Sequence, residues 1–462
     1  MRGWVRLTWC LCSFLFLPCR SLQPSLAPPL PLSVNSLPLQ ASPQSIYIHI
    51  PFCRRRCYYC DFPIKVVGDS PDMARRMAEP YIDMLLRELQ ASIKALEATG
   101  MEMAQLETTT LSWWCEQVYV GGGTPSLCPP DLLGKVFKFL REQLGLSSAA
   151  EVCAEMDPGT FDEALLAQFL GLGLTRVSMG VQSFDAELLK SCGRAHTLND
   201  VYNAVDLLHK AGMDNFSIDL IGGLPGQGLE QWDHSLGEAV QTGAAHVSVY
   251  DLQVEPGTAF DRWYQPGQYP LPSHSLSADM YQAASETLQA AGYDHYEVSN
   301  YGKPGYHSRH NTIYWRSEPF LGVGNGAASY IMQSRFSRPR GLLEYQKWIE
   351  RLETVGWNES TEASPETPRE HLLEGLMLGL RTSAGVTLQG LDAATRSSIQ
   401  KGMEDGLSRG LVVQEGERLR LTDPEGFMLS NDGECVCARE RERSAYFAFS
   451  HILQSFRLSL RR

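Results

Sequence analysis

Cys53, Cys57 and Cys60 follow one another with three and then two intervening residues in the stretch Ser45-Ile-Tyr-Ile-His-Ile-Pro-Phe-Cys-Arg-Arg-Arg-Cys-Tyr-Tyr-Cys-Asp-Phe62. Ile46, Ile48 and Ile50 alternate just upstream, which is the period of a half-buried strand. A loop leaving such a strand end can fold three thiolates around one face of a metal centre. Soft thiolates select zinc, copper(I) or an iron–sulfur cluster. Structural zinc takes four protein ligands, commonly as two closely spaced pairs, and no second pair accompanies this one. A four-iron, four-sulfur cluster held by three cysteines leaves one iron open, which is useful only if a substrate or cofactor binds there. The spacing is therefore read as a site-differentiated cluster.

The elements around that loop must position it. After the cysteines, Met77, Tyr81, Met84, Leu85, Leu89 and Ile93 recur at helical spacing over residues 72–97. Residues 98–115 are a weakly patterned connection. Short apolar runs then alternate with amphipathic segments. Val118–Val120 leads into Gly121-Gly-Gly-Thr-Pro125, Glu151–Glu155 into Asp157-Pro-Gly159, and Arg176–Gln182 into Ser183-Phe184. Phe216–Ile221 leads into Gly222-Gly-Leu-Pro-Gly226, and His246–Tyr250 into Asp251-Leu252. The intervening helical segments are Asp131–Leu144, Asp162–Leu170, Asp200–Ala211 and Leu229–Thr242. Strands alternating with helices imply a parallel α/β sheet with right-handed crossovers. In β/α barrels the chemistry gathers at the C-terminal strand ends, where the cysteine loop and the Gly-rich turns both fall.

The barrel is assigned to residues 41–272. A family-specific extension, rich in aromatics and glycine, follows over 273–355 and begins with a helix near Ala278–Ala291. A polar linker spans 356–369. Residues 370–462 read as a helical, winged-helix-like domain that ends in a short hairpin, Gly410–Val413 and Arg418–Thr422. With no basic recognition face, it is read as a lid or a partner-docking module.

Composition narrows the function classes. The chain has 462 residues, of which 43% are hydrophobic and 20% charged, as expected of globular domains. A net charge of −13 argues against a nucleic-acid binder, which would carry a basic face. Twelve cysteines are too sparse for a disulfide scaffold and suit a thiol-permissive compartment. No stretch reaches the roughly 20 apolar residues needed to span a bilayer. No Asp or Glu precedes Asp61, whereas Arg2, Arg6 and Arg20 are basic and residues 21–44 are rich in Ser, Leu and Pro. Residues 1–40 are accordingly read as a mitochondrial transit peptide with a Pro-rich leader. A secretory signal is the alternative, since Trp9–Pro18 is apolar.

The Cys-x-x-x-Cys-x-x-Cys loop after one strand and Gly-Gly-Gly-Thr-Pro after the next resemble the radical S-adenosylmethionine superfamily. Tyr47–Cys53, Tyr59-Cys60-Asp61-Phe62 and Gly180-Val-Gln-Ser-Phe184 are similar to the branch that holds oxygen-independent coproporphyrinogen oxidases and HemW-type haem chaperones. The likeness runs from about residue 45 to about residue 430. It implies a partial (β/α)6 barrel in which the free iron chelates S-adenosylmethionine. An electron from the cluster then breaks a carbon–sulfur bond and gives a 5′-deoxyadenosyl radical. Carried over by motif, Tyr47 and Tyr59 flank the cluster and cofactor, with Tyr59 near the adenine. Gly121, Gly122, Gly123 and Thr124 admit the methionine moiety to the backbone. Glu155 and Asp219 accept from its ammonium or from the ribose hydroxyls, and Gln182 and Arg194 complete the set. Singly, each of these is a structural polar group as readily as a ligand.

Two features choose between the branches. The oxidases resemble a pattern with a further cysteine two residues beyond the third, where this chain has Phe62. His310-Asn311-x-x-Tyr314-Trp315 matches a signature of the HemW-type proteins, which are thought to bind haem and pass it to apoproteins without decarboxylating coproporphyrinogen. The resemblance therefore implies a haem chaperone carrying a 4Fe-4S cluster and S-adenosylmethionine, with haem-accepting apoproteins, respiratory ones among them, as partners. His310 is the first candidate for a haem ligand. One departure stands out: Ala328 occupies a position where members of the family commonly carry His. A radical oxidase acting on a porphyrinogen and a non-catalytic scaffold are the alternatives left open.

Overall fold

A computed structural model describes residues 28–32, 43–98, 115–357, 361 and 365–431. Most of the expected leader, the connection 99–114, part of the linker and the tail from 432 lie outside the described residues.

Six parallel strands, each with one face on the barrel interior and the other under helices, make the frame. They are β1 Ser45–Ile50, β2 Cys115–Gly122, β3 Leu146–Met156, β4 Arg176–Gln182, β5 Phe216–Gly222 and β6 His246–Asp251, and they pair in chain order. Their outward residues are apolar and fully buried, among them Ile48, Val118, Val120, Val177, Ile218 and Val247. Strands buried on both faces need such β-branched runs. The covering helices are α1 Pro71–Ala98, α2 Pro130–Gln143, α3 Glu163–Gly171, α4 Ala186–Ser191, α5 Leu198–Lys210 and α6 Leu229–Gln241. Local chemistry sets their starts. Asp162 caps α3 by accepting from the Leu165 amide at 2.8 Å, and Thr197 and Asp200 form a reciprocal capping box at α5.

The segment after α6 and β6 extends this sheet at both edges. Helices α7 Ala259–Trp263 and α8 His274–Ala290 lead to β7 Asp294–Glu297 and β8 Asn300–Gly302, a hairpin that joins antiparallel to β6. Helix α9 Arg309–Trp315 then crosses to the other edge, where β9 Phe320–Val323 lies parallel to β1. Strands β10 Ala328–Ile331 and β11 Ser334–Ser337 complete eleven strands. Helix α10 Leu342–Val355 rests on α1. A fully buried ion pair ties the two regions together: Arg338 Nε meets Glu88 Oε1 at 2.7 Å, and Glu88 Oε2 accepts from the Gly324 amide at 2.8 Å. Removing either partner would leave an uncompensated buried charge.

The C-terminal region packs α11 Pro368–Leu380, α12 Ala393–Ser408 and α13 Glu425–Asn431 around a small sheet. That sheet holds β12 Val386–Thr387, β13 Val412–Glu415 and β14 Arg418–Leu421. Its outer member is Leu30–Pro31, a piece of the expected leader, parallel to β12. Leu32 is buried with Leu376, Leu380, Val386 and Leu419 in this domain's own core. No helix among the described residues is long and apolar enough to cross a membrane.

Candidate functional site

The chain turns out of β1 at Pro51, and Phe52–Cys53 pairs with Lys65–Val66, so the cysteine loop is a closed excursion from a strand end. Arg56 holds it shut, donating to the carbonyls of Cys60 at 3.0 Å and Phe62 at 3.1 Å. The Cys60 amide donates to the Cys57 carbonyl at 3.2 Å. Cys53, Cys57 and Cys60 are half-buried and unbridged, and all three line one cavity of about 490 Å³ at the C-terminal ends of the strands.

This donor set fits an iron–sulfur cluster. Burial pushes the Cys53 thiol up to about 12, against a weaker opposing hydrogen bond from Thr124, whose Oγ1 lies 3.7 Å from Cys53 Sγ; burial also raises Cys60. Thiols so placed ionise only against a cationic partner such as iron. Among the described residues, no group of three His, Cys, Asp or Glu side chains is arranged for a single metal ion. A cluster asks for something different, because each thiolate takes its own iron.

The opposite wall is built from the ends of β2 to β5. Gly122 has φ 110°, and a Cβ there would collide with the His49 imidazole. A Cβ on Gly123 would meet the backbone of Pro51 and Phe52 at 2.7–2.8 Å. Glycine is thus required because the cysteine loop lies directly against this turn, with the Gly123 and Thr124 amides donating to Ile50 at 2.8 Å and Phe52 at 2.7 Å. Glu155 accepts from the Gly122 amide and from the Tyr119 hydroxyl, each at 2.9 Å. Burial outweighs those bonds and raises its carboxyl to about 7. Asp219 accepts from the Ser178 hydroxyl at 2.8 Å and from Ser217 at 3.0 Å, and burial raises it too. Gln182 stands at a register shift between β4 and β5 with φ 72°, a conformation uncommon outside glycine, and it lines the cavity. Thr124, Tyr59, Arg194 and Asp219 line it as well.

Arg194 binds the cysteine loop to the strand ends. Nη1 donates to Cys57 Sγ at 3.3 Å and to the Tyr59 hydroxyl at 3.2 Å. Nη2 donates to the Gly180 carbonyl at 2.7 Å and to Asp157. Asp157 also faces His196 Nδ1 at 3.3 Å and Arg54 at 3.6 Å. Burial alone would raise its carboxyl, yet the surrounding cations, Arg194 foremost, hold it below the usual range. Asp157, His196 and Arg54 escaped the sequence reading because Asp157-Pro-Gly reads as a turn signal and nothing local marks its partners. Tyr119 and Tyr250 on the cavity wall were missed likewise.

Three candidates lie elsewhere. Gly121 sits on β2 against Tyr119 and Glu155, behind the lining. Tyr47 is half-buried, with its hydroxyl 3.1 Å from His49 Nδ1. His310, on the first turn of α9, lies inside the barrel, stacked on Tyr119 at 4.1 Å and on Tyr47 at 5.9 Å between ring centroids. Its Nδ1 is 3.3 Å from Gln117 Oε1, and burial lowers its pKa to about 3. Ala328 opens β10 and does not line the cavity either.

Comparison with known proteins agrees with this geometry. The radical SAM superfamily model matches residues 47–239, and the HemN C-terminal domain model matches 367–429. The protein named heme chaperone HemW of Synechocystis sp. is 39% identical over 408 residues, spanning 84% of this chain and 95% of that one. Heme chaperone HemW of Bacillus subtilis is 32% identical over 84% of this chain and 97% of its own length. Radical S-adenosyl methionine domain-containing protein 1, mitochondrial, of Danio rerio is 30% identical over 87% of each chain. Coproporphyrinogen III oxidase (HemN) from Escherichia coli superposes with a TM-score of 0.70 over 90% of both chains at 20% identity, which is a likeness of fold. The chain belongs to the radical SAM superfamily and, within it, to the family of proteins named heme chaperone HemW.

Proposed function

We propose that this protein is a haem chaperone: it binds haem and hands it to apoproteins, and it carries a 4Fe-4S cluster on Cys53, Cys57 and Cys60 with S-adenosylmethionine on the remaining iron. The observation that carries this reading is the kinship, over 84% of this chain, with a protein named heme chaperone HemW, coupled with Phe62 at the position that is cysteine in the oxidase pattern. Phe62 is 56% exposed at the mouth of the cysteine cavity.

When bound, the cluster would supply an electron to the sulfonium of S-adenosylmethionine. The chain's own residues set the stage. Glu155 and Asp219 present buried carboxylates to a cationic guest, Tyr59 offers a ring at the cavity wall, Thr124 donates towards the Cys53 sulfur and Arg194 towards the Cys57 sulfur. Arg194 also counters the negative charge of ligated thiolates, and Asp157 fixes its fork in place. Gln182, Gly122 and Gly123 line the cavity that the cofactor would enter. The acceptors are haem-requiring apoproteins, with respiratory proteins as candidates. The acid-free leader and the mitochondrial designation of the Danio rerio relative support a mitochondrial location.

Anaerobic reconstitution tests the reading. Purified protein is expected to take up iron and sulfide, to bind hemin stoichiometrically, and to transfer it to an apoprotein. A Cys53, Cys57, Cys60 triple-Ala variant should lose the iron and sulfide, and an unchanged iron and sulfide content would remove the cluster assignment. Multiple turnovers of coproporphyrinogen with S-adenosylmethionine and a reductant would replace the chaperone with an oxidase.

A further inference from the structure

A second cavity, of about 470 Å³, opens at the other end of the barrel, between the N-terminal strand ends and the C-terminal domain. Its volume lies in the range of small-ligand sites. Tyr293, Tyr296 and Trp315 line it from the barrel side and α9, and Leu421, Phe427 and Leu30 from the C-terminal domain and the strand added to it. Trp315 is the last residue of the His310-Asn-x-x-Tyr-Trp signature, so that motif reaches this cavity through its tryptophan, while His310 stays behind the wall.

Two histidines line it, and their surroundings differ. His295 is closed off: its side chain is 1% exposed, Nδ1 is 2.7 Å from Asp423 Oδ1, and Nε2 is 3.4 Å from the Val298 carbonyl. His307 is open, its side chain 37% exposed, and its ring stacks on Tyr296 at 4.3 Å. Its Nε2 is 3.3 Å from Asp294 Oδ2, and its Nδ1 makes no hydrogen bond among the described residues. A histidine at a cavity wall that gives one ring nitrogen to a carboxylate and has the other without a hydrogen bond among the described residues has the arrangement of a metal ligand with its orienting partner. The tyrosines are already engaged: Tyr293 donates to the Ala244 carbonyl at 2.6 Å, and the Tyr296 hydroxyl is 2.9 Å from His246 Nε2. Arg316 and Arg420 stand at the lining, paired among the described residues with the exposed carboxylates Glu318 and Glu415.

Resting on the haem-chaperone reading, we propose that this cavity seats the haem, with His307 ligating the iron through the ring nitrogen turned away from Asp294 and with Arg316 and Arg420 meeting the propionates. An imidazole lone pair, a wall of aromatic and aliphatic side chains and two guanidinium groups match an iron porphyrin dicarboxylate. The haem would then lie across the barrel from the cysteine cavity, touching the C-terminal domain. Release to an acceptor would proceed at that end, without disturbing the cluster.

Hemin titration of the full-length protein, read by the Soret and visible bands, tests this. The wild type is expected to show a histidine-ligated spectrum. His307→Ala and the more conservative His307→Gln should both lose that spectrum and bind hemin roughly tenfold more weakly or worse, with iron and sulfide content unchanged. Added imidazole should restore the band in His307→Ala. Asp294→Asn should weaken binding about 10–100-fold, as loss of an orienting partner does. Wild-type spectra and affinity in both His307 variants would overturn the assignment, and loss confined to a His310 variant would move the ligand there. A wild type that binds no hemin at all would instead sink the haem-chaperone reading on which the assignment rests.

Discussion

Replacing Glu155 by Gln removes a buried carboxyl whose proton affinity is set by its place behind the glycine turn. Burial lifts its pKa from 4.5 to about 7, more strongly than the Gly122 amide and the Tyr119 hydroxyl can lower it. The folded state therefore binds this proton more tightly than the unfolded chain does. Stability from that proton is complete below about pH 4.5 and is lost as pH rises through about 7. Over that window the loss is about 3 kcal/mol. Glu297 is raised to about 7 in the same way and Asp219 is also raised, so the wild type alone does not isolate Glu155. The difference between wild type and Glu155→Gln does, because the other two cancel. Urea unfolding of the cofactor-free protein at pH 5 and pH 8 should show the variant gaining about 3 kcal/mol on the wild type at the higher pH. S-adenosylmethionine, whose ammonium favours the ionised carboxylate, should bind the wild type more tightly as pH rises through 7, and the variant with little pH dependence. Parallel pH curves for the two proteins would refute the argument.

Arg194→Met should destabilise the fold by about 3–5 kcal/mol, since it leaves Asp157 buried with weaker partners; adding Asp157→Asn should recover much of the loss in urea melts. Gly123→Ala should lower stability by about 1–3 kcal/mol, because the new methyl meets backbone on the cysteine loop that cannot rotate away, and iron uptake on reconstitution should fall with it. Leu32→Ala should cost about 2–5 kcal/mol in the C-terminal domain's unfolding. For the same reason, on the mitochondrial location proposed above, N-terminal sequencing of the mature protein should find processing upstream of Leu30.

The strand ends were legible because each parallel strand is an apolar run stopped by Gly, Pro or Asp, and those stops are where the side chains of the cysteine cavity gather. Cys53, Cys57 and Cys60 could be placed from such local signals, whereas Gly122, Gly123, Thr124, Glu155, Gln182 and Asp219 came from the family resemblance and lie at the same stops. What stayed hidden is non-local. Strand β9 has four residues and pairs with β1, Phe320 opposite Ser45, a register that no window around residue 320 contains. Strand β3 begins at Leu146, five residues before its apolar run, because its first part is held by neighbours and not by its own sequence. Asp157 hides inside a turn signal. The second cavity draws its walls from five separated segments, and nothing in any one of them marks a site.

His310 shows how a motif residue acquires a role that only the barrel interior explains. Its ring fills the space between Tyr119 and Tyr47, and burial lowers its pKa from 6.5 to about 3. The unfolded chain binds this proton more tightly, so the stability tied to the neutral ring is present above about pH 6.5. It is lost as pH falls towards 3, about 5 kcal/mol across the window. His49, lowered by burial to about 4, acts in the same sense. These two histidines give stability an acid limb, and Glu155 and Glu297 give it an alkaline one, which places the maximum between them. His310→Phe keeps the stacked ring and removes the proton. Its denaturant midpoint should therefore fall less steeply than that of the wild type between pH 6.5 and pH 4, while its hemin spectrum stays wild-type. A variant as acid-sensitive as the wild type would show that the imidazole reaches water, and an altered hemin spectrum would make His310 a ligand instead of the plug that holds Tyr119 against Glu155.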